Sequence, residues 1–139
     1  MNRQIKFRGK SKKTGKWLYG CVADIKYTNF VGVYEKKVIF GNLNIFHTDN
    51  FVFVIDDCEV IPETIGQFTG FCDSKGKEIY DDDIVKWEDS DNNVRTNTVV
   101  WRNGGFVLCN SCYTVCSYMG YNLEVIGNIH DTPELLNDK

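Results

Sequence analysis

The sequence has little of several things, and each shortage narrows its class. Among 139 residues there are two prolines, two histidines, no long apolar run and no excess of positive charge. Pro62 and Pro133 stand alone, so no proline-rich or other low-complexity segment is present. No apolar stretch approaches the ~20 residues that a membrane span requires. The N-terminus lacks the apolar core of a signal peptide, and an alternating pattern begins at Trp17 instead. The protein is therefore expected in the cytoplasm, without a membrane partner. Its six cysteines are then expected as free thiols. His47 and His130 offer few bases near neutral pH, and neither has a serine or cysteine beside it in a nucleophile setting. A Walker lysine loop and a G-x-G-x-x-G fingerprint are both missing, which argues against a nucleotide-driven enzyme. With a net charge of −3, no global positive field draws the protein to nucleic acid.

What is present points to β structure. Aromatic residues make up 14% of the chain, and Val and Ile are plentiful, which suits pleated, half-buried surfaces. The length fits one domain or two small subdomains. A chain of this size buries roughly two thirds of its unfolded surface, so it needs neither disulfide nor metal. The pattern predicts a strand over Gln4–Arg8, a turn over Ser11–Gly15 and a strand over Trp17–Tyr27. In that strand Trp17, Tyr19, Cys21, Ala23, Ile25 and Tyr27 share one face. A second hairpin is predicted from Val31–Tyr34 and Val38–Phe40, closed by Glu35-Lys36-Lys37. Phe51–Ile55 reads as a doubly covered strand, while Asn44–Asp49 fits strand or short helix equally. Pro62 marks the predicted boundary between residues 1–61 and 62–139. Beyond it, Ile65–Phe71 and Lys77–Tyr80 flank the turn Asp73-Ser74-Lys75-Gly76. Ile84–Glu88, a polar loop over 89–93, Val94–Arg102, the turn Asn103-Gly104-Gly105, Phe106–Cys109 and Leu123–Ile129 follow. Asn-Gly between apolar runs is a strong hairpin signal. Thr132-Pro133-Glu134 predicts a capped helical turn.

Three constellations bear on chemistry. Asp81-Asp82-Asp83 could hold a hard cation, but consecutive residues of an extended chain point to opposite faces, so an acidic turn is the stronger reading. Cys109-x2-Cys112-x3-Cys116 has one zinc-like pair, yet a structural site needs four ligands and the second spacing is not diagnostic. Buried or incidental thiols explain it as well. Arg3, Lys6, Arg8, Lys10, Lys12, Lys13 and Lys16 form a basic segment without an acid, interleaved with Phe7 and Trp17. Such mixing can serve phosphates and bases, although lysines also mark the solvated side of a hairpin. Residues 56–91, by contrast, carry twelve acids against three lysines. The basic arm could meet this acidic stretch within one chain or between chains.

Three blocks carry a resemblance to a known family. They are Ile5-Lys6-Phe7-Arg8 with Thr14 to Gly20; Phe68-Thr69-Gly70, Asp73, Gly76, Ile79-Tyr80 and Asp83-Ile84-Val85; and Glu124 to Ile129 with Pro133-Glu134-Leu135-Leu136. In this order and spacing the chain resembles the YopX family, small proteins of bacterial phages and prophages. Residues 28–60 and 89–122, which include the cysteine cluster, lie outside the blocks. Asp82 stands where the family pattern leads one to expect glycine, and Phe71 where leucine is common. The resemblance implies a mostly β fold: a C-terminal SH3-like small β-barrel after a hairpin-rich part. It carries no catalytic residue and no cofactor. Thr69, Gly70, Asp73, Gly76, Ile79, Tyr80, Asp83, Ile84, Val85, Gly127 and Asn128 read as residues that specify the fold. Gly70 and Gly76 suit turns or close approaches, the apolar residues suit a core, and Asp83 suits a turn in which it accepts backbone N–H groups.

The leading expectation is a non-enzymatic accessory protein that binds another protein or itself. The alternative is a nucleic-acid-associated protein using the basic segment with Trp87, Trp101 and Tyr113. A metal-dependent hydrolase built on Asp81, Asp82 and Asp83 ranks third.

Overall fold

A computed structural model of the chain describes residues 4–41, 58–111 and 113–137. Two compact units divide it, one over Gln4–Gln67 and the other from Phe68 onward. The described fold is mostly β, arranged in two antiparallel sheets. The helical elements lying wholly within the described residues are 3-10 turns.

In the first unit β1 (Phe7–Lys10), β2 (Trp17–Thr28) and β3 (Val33–Phe40) pair antiparallel. Strand β2 changes partner halfway. It pairs with β1 over Trp17–Gly20 and with β3 over Cys21–Thr28. Gly20 sits at the changeover with φ 151°, and a Cβ there would lie 1.9 Å from the Phe40 carbonyl oxygen. The change of partner leaves the expected face of β2 unevenly covered. Tyr19 and Cys21 are exposed, whereas Ala23 and Ile25 pack against buried Val38 and Cys58.

The second expected hairpin is also corrected. Glu35-Lys36-Lys37 is not a turn but the middle of β3. The charges alternate across the strand and find cross-strand partners: Lys26 with Glu35 at 2.6 Å, and Lys37 with Asp24. Such pairing favours extended chain over a turn. The turn lies earlier, at Asn29–Gly32, where the Asn29 side chain accepts N–H bonds from Val31 (2.8 Å) and Gly32 (3.2 Å). Likewise β1 begins at Phe7 rather than Gln4, and Ile5 is exposed. The 3-10 turn Pro62–Thr64 leads into β4 (Gly66–Cys72), whose first two residues pair with β1. Phe51–Ile55, Asn44–Asp49, His47, Arg3 and Cys112 lie outside the described residues.

In the second unit the rest of β4 pairs with β5 (Glu78–Tyr80). A separate sheet runs β8-β7-β6-β9, from Gly105–Leu108, Val94–Arg102, Asp83–Glu88 and Glu124–Asn128 respectively. Asn103 (φ 53°) and Gly104 (φ 80°) join β7 to β8 with both central residues left-handed, the geometry that Asn-Gly supplies. The core gathers Ile79, Val85, Val99, Phe106, Leu108, Val115, Tyr118, Leu123 and Val125. Each such side chain contributes about 1.5–3 kcal/mol through burial. Among the described residues neither sheet closes on itself, so the strands of the expected barrel form open sheets there. The polar segment 89–93 is an organised turn, because Asp89 Oδ1 accepts the N–H groups of Asp91 and Asn93.

Candidate ligand-binding cleft

The residues of the expected fold motif come first, because they position everything else in the second unit. Asp73 is buried and accepts three backbone N–H bonds, from Lys75 (2.9 Å), Lys77 (2.8 Å) and Val125 (2.9 Å). It therefore ties the 73–77 turn to β9. Gly76 (φ 83°) lies in the 73–77 turn and Gly70 (φ 91°) lies within β4 where its register against β5 shifts; both take positive φ with open space around them, so neither serves a close approach. Thr69 Oγ1 accepts the Phe71 N–H. Asp83 is 1% exposed and accepts the Tyr80 N–H at 2.8 Å. Ile79, Tyr80, Ile84 and Val85 are all buried. Asp82 has φ 69°, so it occupies the left-handed position that glycine suits best. Its carboxylate lies 3.1 Å from His130 Nε2.

At the end of β9, Asn128 Oδ1 accepts N–H bonds from His130 and Asp131. Gly127 leaves room for Thr132, whose Oγ1 would lie 2.0 Å from a Cβ at that position. This corrects the expected cap. Thr132 stands at the N-cap of the 3-10 turn Pro133–Leu136 and its carbonyl accepts the Leu135 N–H, but its side chain makes no capping bond; its hydroxyl turns back to accept the Asn128 N–H and donate to the Asn128 carbonyl. The consecutive aspartates are thus engaged in turn geometry. Among the described residues no group of three His, Cys, Asp or Glu side chains is placed to hold a metal ion. Cys109 is half-buried and Cys116 exposed, both free thiols.

Among the described residues the cations of the basic segment differ in exposure and partners. Arg8 is 5% exposed, with its guanidinium 4.7 Å from the Trp17 ring centroid. The Trp17 ring thus covers this cation, which is little exposed to solvent. Lys12 pairs with Glu59 at 3.3 Å. Lys6 and Lys10 are half-buried, and Lys13 and Lys16 are exposed. The three aromatics named with them are dispersed in role. Trp101 packs edge-on against Phe106, Trp87 is only partly exposed, and Tyr113 is exposed.

Trp87 and Tyr113 nevertheless belong to one feature, together with residues the sequence reading missed. Trp87, the penultimate residue of β6, stands opposite Arg95 of β7, and its indole N–H donates to Asn97 Oδ1 at 2.9 Å. The 3-10 turn Val115–Tyr121 has three residues per turn, so Val115, Tyr118 and Tyr121 align on one side. Val115 and Tyr118 reach the core, and Tyr121 stays half-exposed beyond them. Asn122, left-handed at φ 52°, ends the turn. The Trp87 ring meets Tyr118 at 4.8 Å and Tyr121 at 5.7 Å, both edge to face. The Tyr118 hydroxyl is anchored 2.6 Å from Ser111 Oγ, which also accepts the Tyr113 N–H.

Beside these rings opens a cleft of about 360 Å³, lined by Trp87, Tyr113, Tyr118 and Tyr121 together with Asp89, Ser90 and Ser117. A second hollow of about 400 Å³ shares Trp87, Asp89, Tyr113 and Tyr118 and adds Arg95 and Asn110. Asp89 pairs with Arg95 at 3.0 Å. The Asn93 backbone N–H above all, with Arg95 and the Asp91 N–H, holds its carboxyl below the usual range against the opposing effect of burial. The cleft is thus an aromatic surface with hydroxyl and carboxylate groups in its lining. Such a surface can receive the apolar body of a side chain. The one sequence signal for it is the spacing Val115-x2-Tyr118-x2-Tyr121.

A family model described as YopX protein matches residues 6–137, nearly the whole chain. None of the curated proteins matches. The chain is similar in structure to protein EF1440 from Enterococcus faecalis, with a TM-score of 0.54 and 21% identity, over 96% of this chain and 98% of that one. At that identity the likeness concerns the fold.

Proposed function

The chain belongs to the YopX family, and from that premise we propose that it is a binding protein and not an enzyme, an accessory protein of a phage or prophage that takes a segment of a protein partner into the aromatic cleft. The observation that carries this reading is the grouping of Trp87, Tyr113, Tyr118 and Tyr121 around one open hollow. Aromatic side chains supply large contact area with few rotatable bonds, and tyrosine adds a polar tip. Such residues dominate the energetics of protein interfaces. The cleft lies in the acidic unit, where residues 68–139 carry twelve acids against six bases. That balance supports a protein partner over nucleic acid.

The test uses the full chain as bait in extract from a bacterial host, with bound proteins identified by mass spectrometry. Tyr121→Ser and Trp87→Ala should lose the partner that the parent chain retains. Trp101→Ala, remote from the cleft lining, should keep it. Equal capture by all four chains would refute the reading.

A further inference from the structure

We propose that the segment received by the cleft is the tip of the β2–β3 hairpin of a second copy, led by Phe30. This deepens the preceding reading and rests on it. Phe30 is 110% exposed and Val31 84%, and Val33 beside them is 69% exposed. The turn geometry does not call for them. Asn29 supplies it by accepting the Val31 and Gly32 N–H groups, and the Asn29 N–H donates to the Gly32 carbonyl. Residues at the tip of such a turn are ordinarily small or polar. Two large apolar side chains held out on an ordered turn therefore need another explanation.

The hairpin supports them well. Strands β2 and β3 pair continuously from Cys21↔Phe40 to Thr28↔Val33, and the Lys26–Glu35 ion pair lies just below the turn. A pre-organised tip loses little conformational freedom when it docks. The cleft has complementary chemistry. Its rings already pack edge to face, the arrangement in which a further aromatic ring is well received, and its volume of about 360 Å³ accommodates a benzyl side chain.

Charge points the same way. Residues 4–67, which carry the tip, have nine bases against seven acids, while residues 68–139, which carry the cleft, have six against twelve. Opposite net charges favour meeting between the tip-bearing unit of one copy and the cleft-bearing unit of another. Because plug and socket are different surfaces, the contact is head to tail and either closes into a ring or extends.

Sedimentation and light scattering of the full chain, from micromolar to near-millimolar concentration, test this. The parent chain should associate with rising concentration, and less so in high salt. Phe30→Ser/Val31→Ser and Tyr113→Ser/Tyr121→Ser replace exposed or half-exposed residues, and each chain alone should weaken association about tenfold to a hundredfold. Mixed together, the two variants retain one intact tip and one intact cleft. They should restore a two-chain complex and nothing larger, which also shows that both are folded. A parent chain that stays monomeric, a variant that associates like the parent, or a mixture that stays monomeric would each overturn the proposal. A monomeric parent whose captured partner still depends on Tyr121 would sink this inference while leaving the cleft reading intact.

Discussion

Replacing Asp73 with alanine should be the most damaging single change to a polar group in the second unit. Its carboxylate accepts three backbone N–H bonds at 2.8–2.9 Å from two places in the chain. Hydrogen bonds to a charged group contribute about 1.5–3 kcal/mol each, but the three losses will not be equal. The amides of exposed Lys75 and Lys77 can turn to water when the carboxylate is gone. The Val125 amide is engaged in a buried bond and has no such recourse. One orphaned buried donor costs about 1–3 kcal/mol, and loosening the turn adds to it. The total is about 3–5 kcal/mol, a large share of the roughly 5–15 kcal/mol that holds a domain folded. For a chain of this length that lowers Tm by about 10–20 °C. Thermal unfolding followed by circular dichroism measures the shift, and amide exchange at Val125 measures the local cause. Asp73→Asn should fall between, since it keeps one oxygen for the turn but turns an NH2 towards the Val125 N–H. A fall of less than about 3 °C for Asp73→Ala, with Val125 as well protected as before, would show that the carboxylate does not hold β9 to the turn.

Other substitutions test neighbouring parts of the argument. Gly127→Ala should cost about 1–3 kcal/mol, because the new methyl meets Thr132 Oγ1 at 2.0 Å and Leu135 Cδ1 at 2.9 Å; Thr132→Ala in the same chain should recover part of it in a double-mutant cycle. Asp82→Gly should leave stability within about 1 kcal/mol, since relief at φ 69° offsets the lost His130 contact, whereas Asp82→Val should cost about 1–3 kcal/mol; the two measured by denaturant unfolding must differ in this order. Acid should weaken the second unit through Asp89 and Glu124. Both carboxyls are held below their ordinary values, Asp89 chiefly by the Asn93 N–H and Glu124 chiefly by Lys75. A depressed folded pKa gives stability that is present above the unfolded value, near 3.8 for Asp89 and 4.5 for Glu124, and lost as pH falls through the folded one. Tm should therefore decline below about pH 4.5, and Asp89→Asn with Glu124→Gln should flatten that limb of the profile.

What could be read directly from the sequence was local. Asn103-Gly104 declares its hairpin because those two residue types tolerate left-handed backbone, and Gly76 marks the Asp73–Gly76 turn for the same reason. The β character followed from composition and alternation. Asp83 as a turn acceptor also followed, since its partner, Tyr80, is three residues away. Alternation failed where a strand changes neighbours. The pattern of β2 assumes one cover for one face, but β1 flanks its first part and β3 its second. The charge run Glu35-Lys36-Lys37 reads as a turn by itself because the cross-strand partners of Glu35 and Lys37, Lys26 and Asp24, are nine and thirteen residues distant. Likewise, no local pattern shows that Arg8 lies under Trp17 or that Asp73 reaches Val125. The cleft is the furthest of all from the local code. Trp87, Tyr113 and the Tyr118–Tyr121 pair come from a strand end, a loop and a 3-10 turn, and they converge only because the core beneath them, from Val85 to Val125, packs in one way. Residue type and spacing determined where the chain turns and which residues prefer burial; the packing of distant segments decided which of those residues meet.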